Sequence, residues 1–352
     1  MNQDPEKLID HQEVDALLDD LGADAEDKTI AEDSSRSSFL RRARGASTLI
    51  AALLIFTGLS LATPLFLTVP NVMLVARQIS ILQIIAIGMT FLFISREIDL
   101  SVGSIYGFLA VALATLIAKN SVDPWIAMGL VVVLGGFIGF INGFVTTQFG
   151  IPSFIVTLGS LSILRGAALL LSGGWPISLK LADDHSFPTL TDGRLFDTVP
   201  AQIFWMLVLT IAAGFLLRKT KFGAHVFATG GNEEAAVLSG IPTKRVKTLC
   251  FVMTGALCGV AAGLLLGQVG SGFPLTGQGL ELDVIAAVVI GGTPLWGGSG
   301  SIFGTLLGSA IIGMITNGLV LLGASAYLEP VAKGAIIVLA VLADTLIRRR
   351  VT

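Results

Sequence analysis

The chain has 352 residues, of which 53% are apolar and 13% are charged, and its mean hydropathy is +0.83. Soluble domains carry about 25% charged residues and about 7% glycine, whereas this chain contains 41 glycines. The composition excludes an ordinary cytoplasmic enzyme and indicates a membrane protein. The net charge of −3 is unevenly distributed, because residues 1–38 contain 12 acids and 3 bases, which leaves the rest of the chain basic.

Residues 1–45 are predicted to form an acidic, cytoplasmic and largely disordered tail, followed by a membrane domain over residues 46–352. Four apolar residues of the tail, from Val14 to Leu21, follow the i, i+3, i+4, i+7 spacing of an amphipathic helix. The alternative interpretation is therefore a short helix that docks on a protein partner. An anionic membrane surface would repel this segment.

Ten segments are candidates for transmembrane helices, each of which needs about 20 mainly apolar residues. They are residues 48–67, 72–95, 100–118, 124–147, 152–172, 201–217, 248–269, 280–295, 302–322 and 331–347. Basic residues favour the cytoplasmic side of a membrane. With ten spans, the basic clusters before the first span, between the sixth and seventh, and after the tenth all fall on one side. The sequence thus predicts an all-α polytopic membrane protein with both termini in the cytoplasm and residues 173–199 as the largest external loop.

The two halves of the membrane domain carry similar sequences in matching positions. The third and eighth spans begin with Ile98-Asp99-Leu100-Ser101 and Glu281-Leu282-Asp283-Val284. The fourth and ninth end with Asn142-Gly143-Phe144-Val145 and Asn317-Gly318-Leu319-Val320. An offset of five spans is odd, so the halves would cross the membrane in opposite directions. We therefore expect two inverted-topology halves with interrupted helices at the third and eighth spans.

The sequence lacks the residue patterns of several kinds of active site. No G-x-x-x-x-G-K-[ST] loop occurs, so ATP would have to be hydrolysed by another chain. The three histidines are scattered, and Cys250 and Cys258 are eight residues apart, which is about 12 Å along a helix and too far for a disulfide. We expect a non-catalytic chain with no metal site and no bound cofactor.

The loop between the sixth and seventh spans, residues 218–247, carries the signals of a short helix. Asn232 is a good N-cap, Glu233 and Glu234 suit a first turn, and Gly240 suits the position after the C-cap. Glu234 also begins the pattern E-A-A-x-x-x-G. That pattern is typical of the permeases of ATP-binding-cassette (ABC) importers.

Four motifs, found in the expected order, resemble the permease subunits of bacterial ribose/xylose-type monosaccharide ABC importers. They are residues 98–104, 152–159, 231–236 and 281–292. The resemblance extends from about residue 48 to the end of the chain. The long acidic tail and Ser95-Arg96-Glu97, which stands where the family has a glycine-rich sequence, depart from the pattern.

The resemblance implies a subunit of the bacterial inner membrane that carries a monosaccharide or related polyol into the cytoplasm. Its implied partners are a second permease chain, identical or paralogous, two cytoplasmic ATPase subunits that use the ATP, a periplasmic sugar-binding protein and the lipid membrane, with no nucleic acid. Coupling to the ATPase is assigned to Asn232, Glu233, Glu234, Ala235, Ala236 and Gly240. The alternatives are a branched-chain amino acid ABC permease, a self-sufficient secondary transporter or channel, and an intramembrane enzyme.

Ionisable, amide and glycine residues in the predicted spans are candidates for the translocation pathway, because such groups are rare in lipid-facing helices. For Arg165 the alternative is pairing within the bundle, and for the carboxylates, including Glu281, it is capping of a helix N-terminus. The amides are equally typical of helix-packing hydrogen bonds. The pathway candidates are Asp99, Ser101, Gly103, Asn142, Arg165, Gln268, Asp283, Gly291, Gly292 and Asn317.

Overall fold

The computed structural model describes residues 48–179, 186–195, 197–325 and 327–349, so the predictions for the acidic tail lie outside the described residues. The helices within these ranges are α1 (Thr48–Ala62), α2 (Val69–Ile94), α3 (Val102–Ala118), α4 (Pro124–Phe149), α5 (Ser153–Ser172), α6 (Ser186–Thr191), α7 (Ala201–Lys219), α8 (Lys221–Gly231), α9 (Glu233–Leu238), α10 (Thr243–Val269), α11 (Leu280–Ile290), α12 (Ile302–Leu321) and α13 (Leu328–Arg349). The strands are β1 (Ile177–Ser178), β2 (Arg194–Leu195), β3 (Val199–Pro200) and β4 (Ser271–Gly272). Strand β1 pairs antiparallel with β4, and β2 pairs antiparallel with β3.

A helix lies in each of the ten predicted segments. Six helices, α2, α4, α5, α7, α10 and α12, are long and apolar enough to cross a membrane, and α1 and α3 are shorter apolar helices. The protein is thus an all-α polytopic membrane protein. Two helices end well before the predicted residue. Helix α1 stops before Thr63, which precedes Pro64 and is biased away from helical backbone. Helix α11 stops at Ile290, just before Gly292 takes a φ of 84°.

Local signals fix the ends of several long helices. At the start of α4 the Asp123 carboxylate accepts hydrogen bonds from the N–H groups of Trp125 and Ile126, at 2.9 and 3.2 Å, and Pro124 occupies the first turn. Gly150 is the C-cap residue of α4 and Gly173 is that of α5, both with left-handed backbone. A glycine directly after a long apolar run predicts a helix end of this kind.

Helices α4 and α10 make the most extensive helix–helix contact of the described residues. Their interface consists of glycines spaced four residues apart, which allow the two backbones to approach closely. A Cβ on Gly139 would lie 2.1 Å from the carbonyl oxygen of Phe251, and one on Gly255 would lie 2.0 Å from that of Gly135. The core continues from this pair onto α3 and the second half of α2, where Phe91, Phe93 and Leu109 are fully buried.

The bundle has two ends. At the first, which we call the loop end, α8 and α9 lie beside the end of α2 and the loop between α11 and α12. At the opposite end, β3 lies beside α2 and the β1–β4 pair lies against α3. Arg77 of α2 is 3.2 Å from Asp192, which follows α6. There the Trp205 indole N–H also donates to the carbonyl of Leu190 at 2.9 Å.

The close packing of α4 against α10 predicts that larger residues at this interface lower the stability of the protein. Gly139→Ala places a methyl group against backbone that cannot move aside, and overpacking of this kind costs about 1–3 kcal/mol. Gly129→Ala on the same helix meets no atom within 4 Å and should leave stability unchanged or slightly raised. The measurement is the thermal unfolding midpoint in detergent, and equal midpoints for the two variants would contradict the packing account.

Candidate functional site

Helix α9 is the loop helix that the sequence predicts between Asn232 and Gly240. The Asn232 side-chain carbonyl accepts from the N–H of Ala235 at 3.1 Å, which makes it the N-cap. Helix α9 ends at the C-cap Ser239, and Gly240 follows with a φ of 79°. Both predicted ends of the helix are confirmed.

The outer face of α9 is uncovered in the described part of the chain. Leu238 is 89% exposed and Val237 is 54% exposed, while Glu234 and Ala235 are also exposed. Ala236, in contrast, is buried against its own chain. Of the two alanines in the motif, Ala235 is therefore the one that a partner could approach.

Helix α8, which precedes α9, was missed by the sequence analysis. Thr220 is its N-cap and accepts from the N–H of Gly223 at 3.3 Å. A threonine followed by a helical apolar spacing of Phe222 and Val226 is the signal that could have identified it.

The end of α8 packs against two irregular segments at the loop end. A Cβ on Gly230 would lie 1.6 Å from the carbonyl oxygen of Ile94, so the two backbones are in direct contact. The same carbonyl accepts from the N–H of Gly298 at 2.9 Å. The glycine-rich segment that follows α11 thus provides close backbone packing.

Three of the predicted pathway residues, Asp99, Ser101 and Asn142, lie together in a buried network between α3, α4 and α5. The fully buried Asp99 carboxylate accepts from the backbone N–H of Ser101 at 2.8 Å and also from its hydroxyl. The Asn142 amide donates to the Ser101 hydroxyl at 3.1 Å, and the Ser160 hydroxyl donates to Asn142. Helix α3 begins at Val102 with Ser101 as its N-cap residue, so Asp99 lies before the helix rather than at its cap.

Helix α5 supplies two further groups to this network that the sequence analysis did not single out. The Ser153 hydroxyl accepts from the N–H of Ile98 at 3.2 Å, and the Thr157 hydroxyl accepts from the N–H of Leu100 at 3.1 Å. Ser153, Thr157 and Ser160 recur at helical spacing in the sequence. That spacing is the signal from which one polar face of α5 could have been predicted.

Arg165 holds the irregular segment that leads into α11. One of its guanidinium nitrogens, Nη1, donates to the carbonyls of Pro274 and Thr276, both at 2.9 Å. The segment lies against α3, because a Cβ on Gly103 would be 2.3 Å from the carbonyl oxygen of Gly277. Arg165 therefore bonds to backbone within the bundle, and Gly103 is a site of close packing.

Gln268 and Asp283 line a cavity of about 300 Å³ between α2, α3, α10, α11, α12 and α13. Asp283 accepts from the Lys333 ammonium at 2.7 Å, and Lys333 also lies 2.7 Å from Glu329. The Tyr106 side chain lines the same cavity. Lys333, a cation inside the last predicted span, could have been identified from the sequence by the rule that made Arg165 a candidate.

The remaining pathway candidates lie elsewhere in the bundle. A Cβ on Gly291 would be 2.6 Å from the backbone of Gly304, and Gly292 follows the end of α11. Asn317 exchanges two hydrogen bonds with Asn71, at 2.8 and 3.1 Å, near the opposite end of the bundle. The structure therefore distributes the predicted pathway residues over several separate places.

Comparison with known proteins identifies the family. Residues 71–341 match the family described as "Branched-chain amino acid transport system / permease component". The chain belongs to this permease family. No solved structure matches the permease.

Several relatives match the permease over most of their length. The permease is 42% identical over 302 residues to the probable ABC transporter permease protein YphD of Escherichia coli strain K12. The matched region covers 86% of this chain and 90% of the relative. It is 40% identical over 285 residues to the ribose import permease protein RbsC of Bacillus subtilis strain 168, covering 81% and 88%. It is 37% identical over 319 residues to the L-arabinose ABC transporter permease protein AraH of Azospirillum brasilense, covering 90% and 92%.

These matches confirm the resemblance to ribose/xylose-type ABC permeases that the sequence motifs indicate. The permease is accordingly a transport component and not an enzyme. Its multi-pass helices place it in the bacterial inner membrane with its relatives.

The two carbonyls held by Arg165 give a second prediction. Arg165→Met leaves both without a donor at a partly buried site, and an unsatisfied buried acceptor costs about 1–3 kcal/mol. We expect a lower unfolding midpoint in detergent and faster proteolysis between residues 271 and 279. Ser162→Ala is the control on the same helix, because Ser162 is exposed and donates to the Leu158 carbonyl of its own helix. Equal results for Arg165→Met and this control in both measurements would contradict the conclusion that Arg165 holds the segment before α11.

Proposed function

We propose that the chain is the membrane permease of an ATP-driven importer that carries a neutral monosaccharide or a related polyol into the bacterial cytoplasm. The observation that carries this proposal is the exposed face of α9. A six-residue helix is marginal by itself, and here it exposes Val237 and Leu238 in a chain that contains no ATP-binding loop. A helix of this kind gains its order from the groove of a partner.

The partner in this proposal is an ATPase, present as two cytoplasmic subunits, and it binds and uses the ATP while the permease binds no cofactor. Ala235 allows close approach of the ATPase, and the exposed Glu234 carboxylate pairs with a basic residue of it. Asn232 and Gly240 fix the ends of the docking helix. Glu233 and Ala236 face the permease itself and set the position of the helix.

Ten helices cross the membrane in the proposed topology: α1, α2, α3, α4, α5, α7, α10, α11, α12 and α13. Both termini and the loop end are cytoplasmic, as supported by the basic residues that flank α8 and α9, which are Arg218, Lys219, Lys221, Lys244, Arg245 and Lys247. The two halves have inverted topology. In support of this, Asn142 bonds to Ser101 beside the loop end, whereas its counterpart Asn317 bonds to Asn71 at the opposite end.

The proposed topology predicts which loops are accessible from each side. A reporter enzyme that is active only outside the cytoplasm should give activity when fused after Gly193 and none when fused after Ser239, because an odd number of crossings separates the two positions. Equal activity of the two fusions, at equal expression, would contradict the ten-helix topology.

The proposed substrate is a neutral sugar because ribose and arabinose appear in the names of close relatives, although the family description names branched-chain amino acids. An uncharged sugar needs no fixed counter-charge, and its hydroxyls can be met by the hydroxyl and amide groups in the spans. Two permease copies enclose the pathway near the interrupted helices α3 and α11. A periplasmic sugar-binding protein delivers the substrate.

Ala235→Arg tests the docking helix and the transport activity together. The substitution puts bulk and charge into the proposed contact with the ATPase, and a mismatched residue at the centre of an interface often costs about 2 kcal/mol or more. The variant should insert normally but lose both co-purification of the ATPase and uptake of labelled pentose. Unlabelled pentose, and not leucine, should compete with uptake by the unaltered protein.

The matched control is Ala62→Arg, the same change at an exposed position at the end of α1. It lies away from α9 and should retain the ATPase. Normal uptake by Ala235→Arg would refute the role of α9, and competition by leucine alone would assign the transporter to the branched-chain amino acid class.

A further inference from the structure

Lys247, near the start of α10, bridges two carboxylates that come from distant parts of the chain. Its ammonium lies 2.9 Å from a carboxylate oxygen of Glu97 and 2.8 Å from one of Glu233. The side chains of Lys247 and Glu97 are only 11% and 10% exposed. Ion pairs shielded from solvent in this way are screened less by salt than surface pairs. We call these three residues the Lys247 bridge.

The bridge joins two functional parts of the protein. Glu233 is the first residue of α9, the helix proposed to dock the ATPase. Glu97 lies two residues before Asp99, in the break between α2 and α3. The N–H of the intervening Ile98 is bonded to Ser153 on α5. Lys247 therefore passes a displacement of Glu233 on to Glu97. Glu97 lies in the segment between α2 and α3, which also contains Asp99 of the buried network.

The three residues of the bridge line a cavity of about 250 Å³. Its other walls come from the end of α4, the start of α5 and Lys244. Packed protein interiors resist displacement because they contain few voids. Because the Lys247 bridge lies along the wall of a cavity, α9 has space to move, and the long lysine side chain can follow that movement.

A second link runs parallel to the bridge. Arg96, beside Glu97, donates from its guanidinium to the carbonyl of Gly231 at 2.7 Å. Its backbone has a φ of 64°, which is unfavourable for a residue with a side chain and persists only where surrounding contacts enforce it. Arg96 and Glu97 are two of the three residues that depart from the family resemblance, and the structure gives both of them contacts that reach the docking segment.

We propose that Lys247 is a positioning residue that transmits displacement of α9 to the break between α2 and α3. This rests on the proposed function of α9 as the site of ATPase docking. The link is reciprocal, so occupancy of the transport pathway also acts on α9. Loss of the bridge leaves docking intact and separates ATP hydrolysis from transport.

The experiment uses the complete importer, with the permease, the ATPase and the sugar-binding protein reconstituted in lipid vesicles. ATP hydrolysis and uptake of labelled pentose are measured in the same vesicles. Lys247→Met keeps a long unbranched side chain and removes the charge. We expect stoichiometric ATPase and continued hydrolysis, with the number of sugars moved per ATP reduced about tenfold.

Four further variants separate transmission from structural support. Lys247→Arg should restore the sugar-to-ATP ratio, since it restores the charge. Glu97→Gln, which preserves shape, should lower that ratio as Lys247→Met does, and combining the two should cause no further loss. Lys244→Met is the control, because Lys244 lines the same cavity and forms no ion pair with the described residues. It should behave as the unaltered protein.

An unchanged sugar-to-ATP ratio in both Lys247→Met and Glu97→Gln would overturn the proposal while leaving the proposed function in place. Loss of folded protein or of bound ATPase in parallel with uptake, in both variants, would also overturn it, since the bridge would then be structural only. If the unaltered importer shows no ATP-dependent sugar uptake, the proposed function fails, and the inference fails with it.

Discussion

Two irregular segments, one between α2 and α3 and one before α11, lie beside α5, and the backbone of each must find hydrogen-bond partners. In hydrocarbon an unpaired N–H or C=O group costs on the order of several kcal/mol, so irregular backbone survives only where protein groups satisfy it. At the break between α2 and α3, Ser153 and Thr157 accept two of the N–H groups. Before α11, Arg165 donates to two carbonyls. All three side chains belong to α5, so the position of this one helix governs both breaks.

The polar face of α5 explains how a largely uncovered helix can be central to the structure. Its outer residues, such as Ile163 and Leu170, are exposed in the isolated chain, whereas its inner hydroxyls and Arg165 contact both irregular segments. Hydroxyls satisfy the first break, where N–H groups need acceptors, and a cation satisfies the second, where carbonyls need donors. Because both sets of bonds arise on one rigid helix, a displacement of α5 moves the two breaks together.

The helices, including the short helix α9, could be predicted from the sequence because their signals are local. Apolar length defines the spans, Gly150 ends α4, and Asn232 and Gly240 fix the ends of α9. Which distant residues meet could not be predicted, because residue type does not specify a neighbour. The sequence marks Gly103 only as a glycine in a span predicted to be interrupted, and its neighbour proves to be the backbone of Gly277. Asp99 and Asn142 are separate candidates in the sequence, and only the fold brings them together.

Two kinds of contact hold the loop end, and they respond differently to movement. The contact of Gly230 with the Ile94 carbonyl, and the hydrogen bond from Gly298 to that carbonyl, join backbone directly to backbone and leave no freedom. The end of α8 and the end of α2 must therefore move as one body. Helix α9 is joined to the same region by the side chains of Glu233 and Lys247, which can reorient. Since α8 and α9 meet at Asn232, whose backbone is extended, α8 is the fixed part of this region and α9 is the part that can tilt.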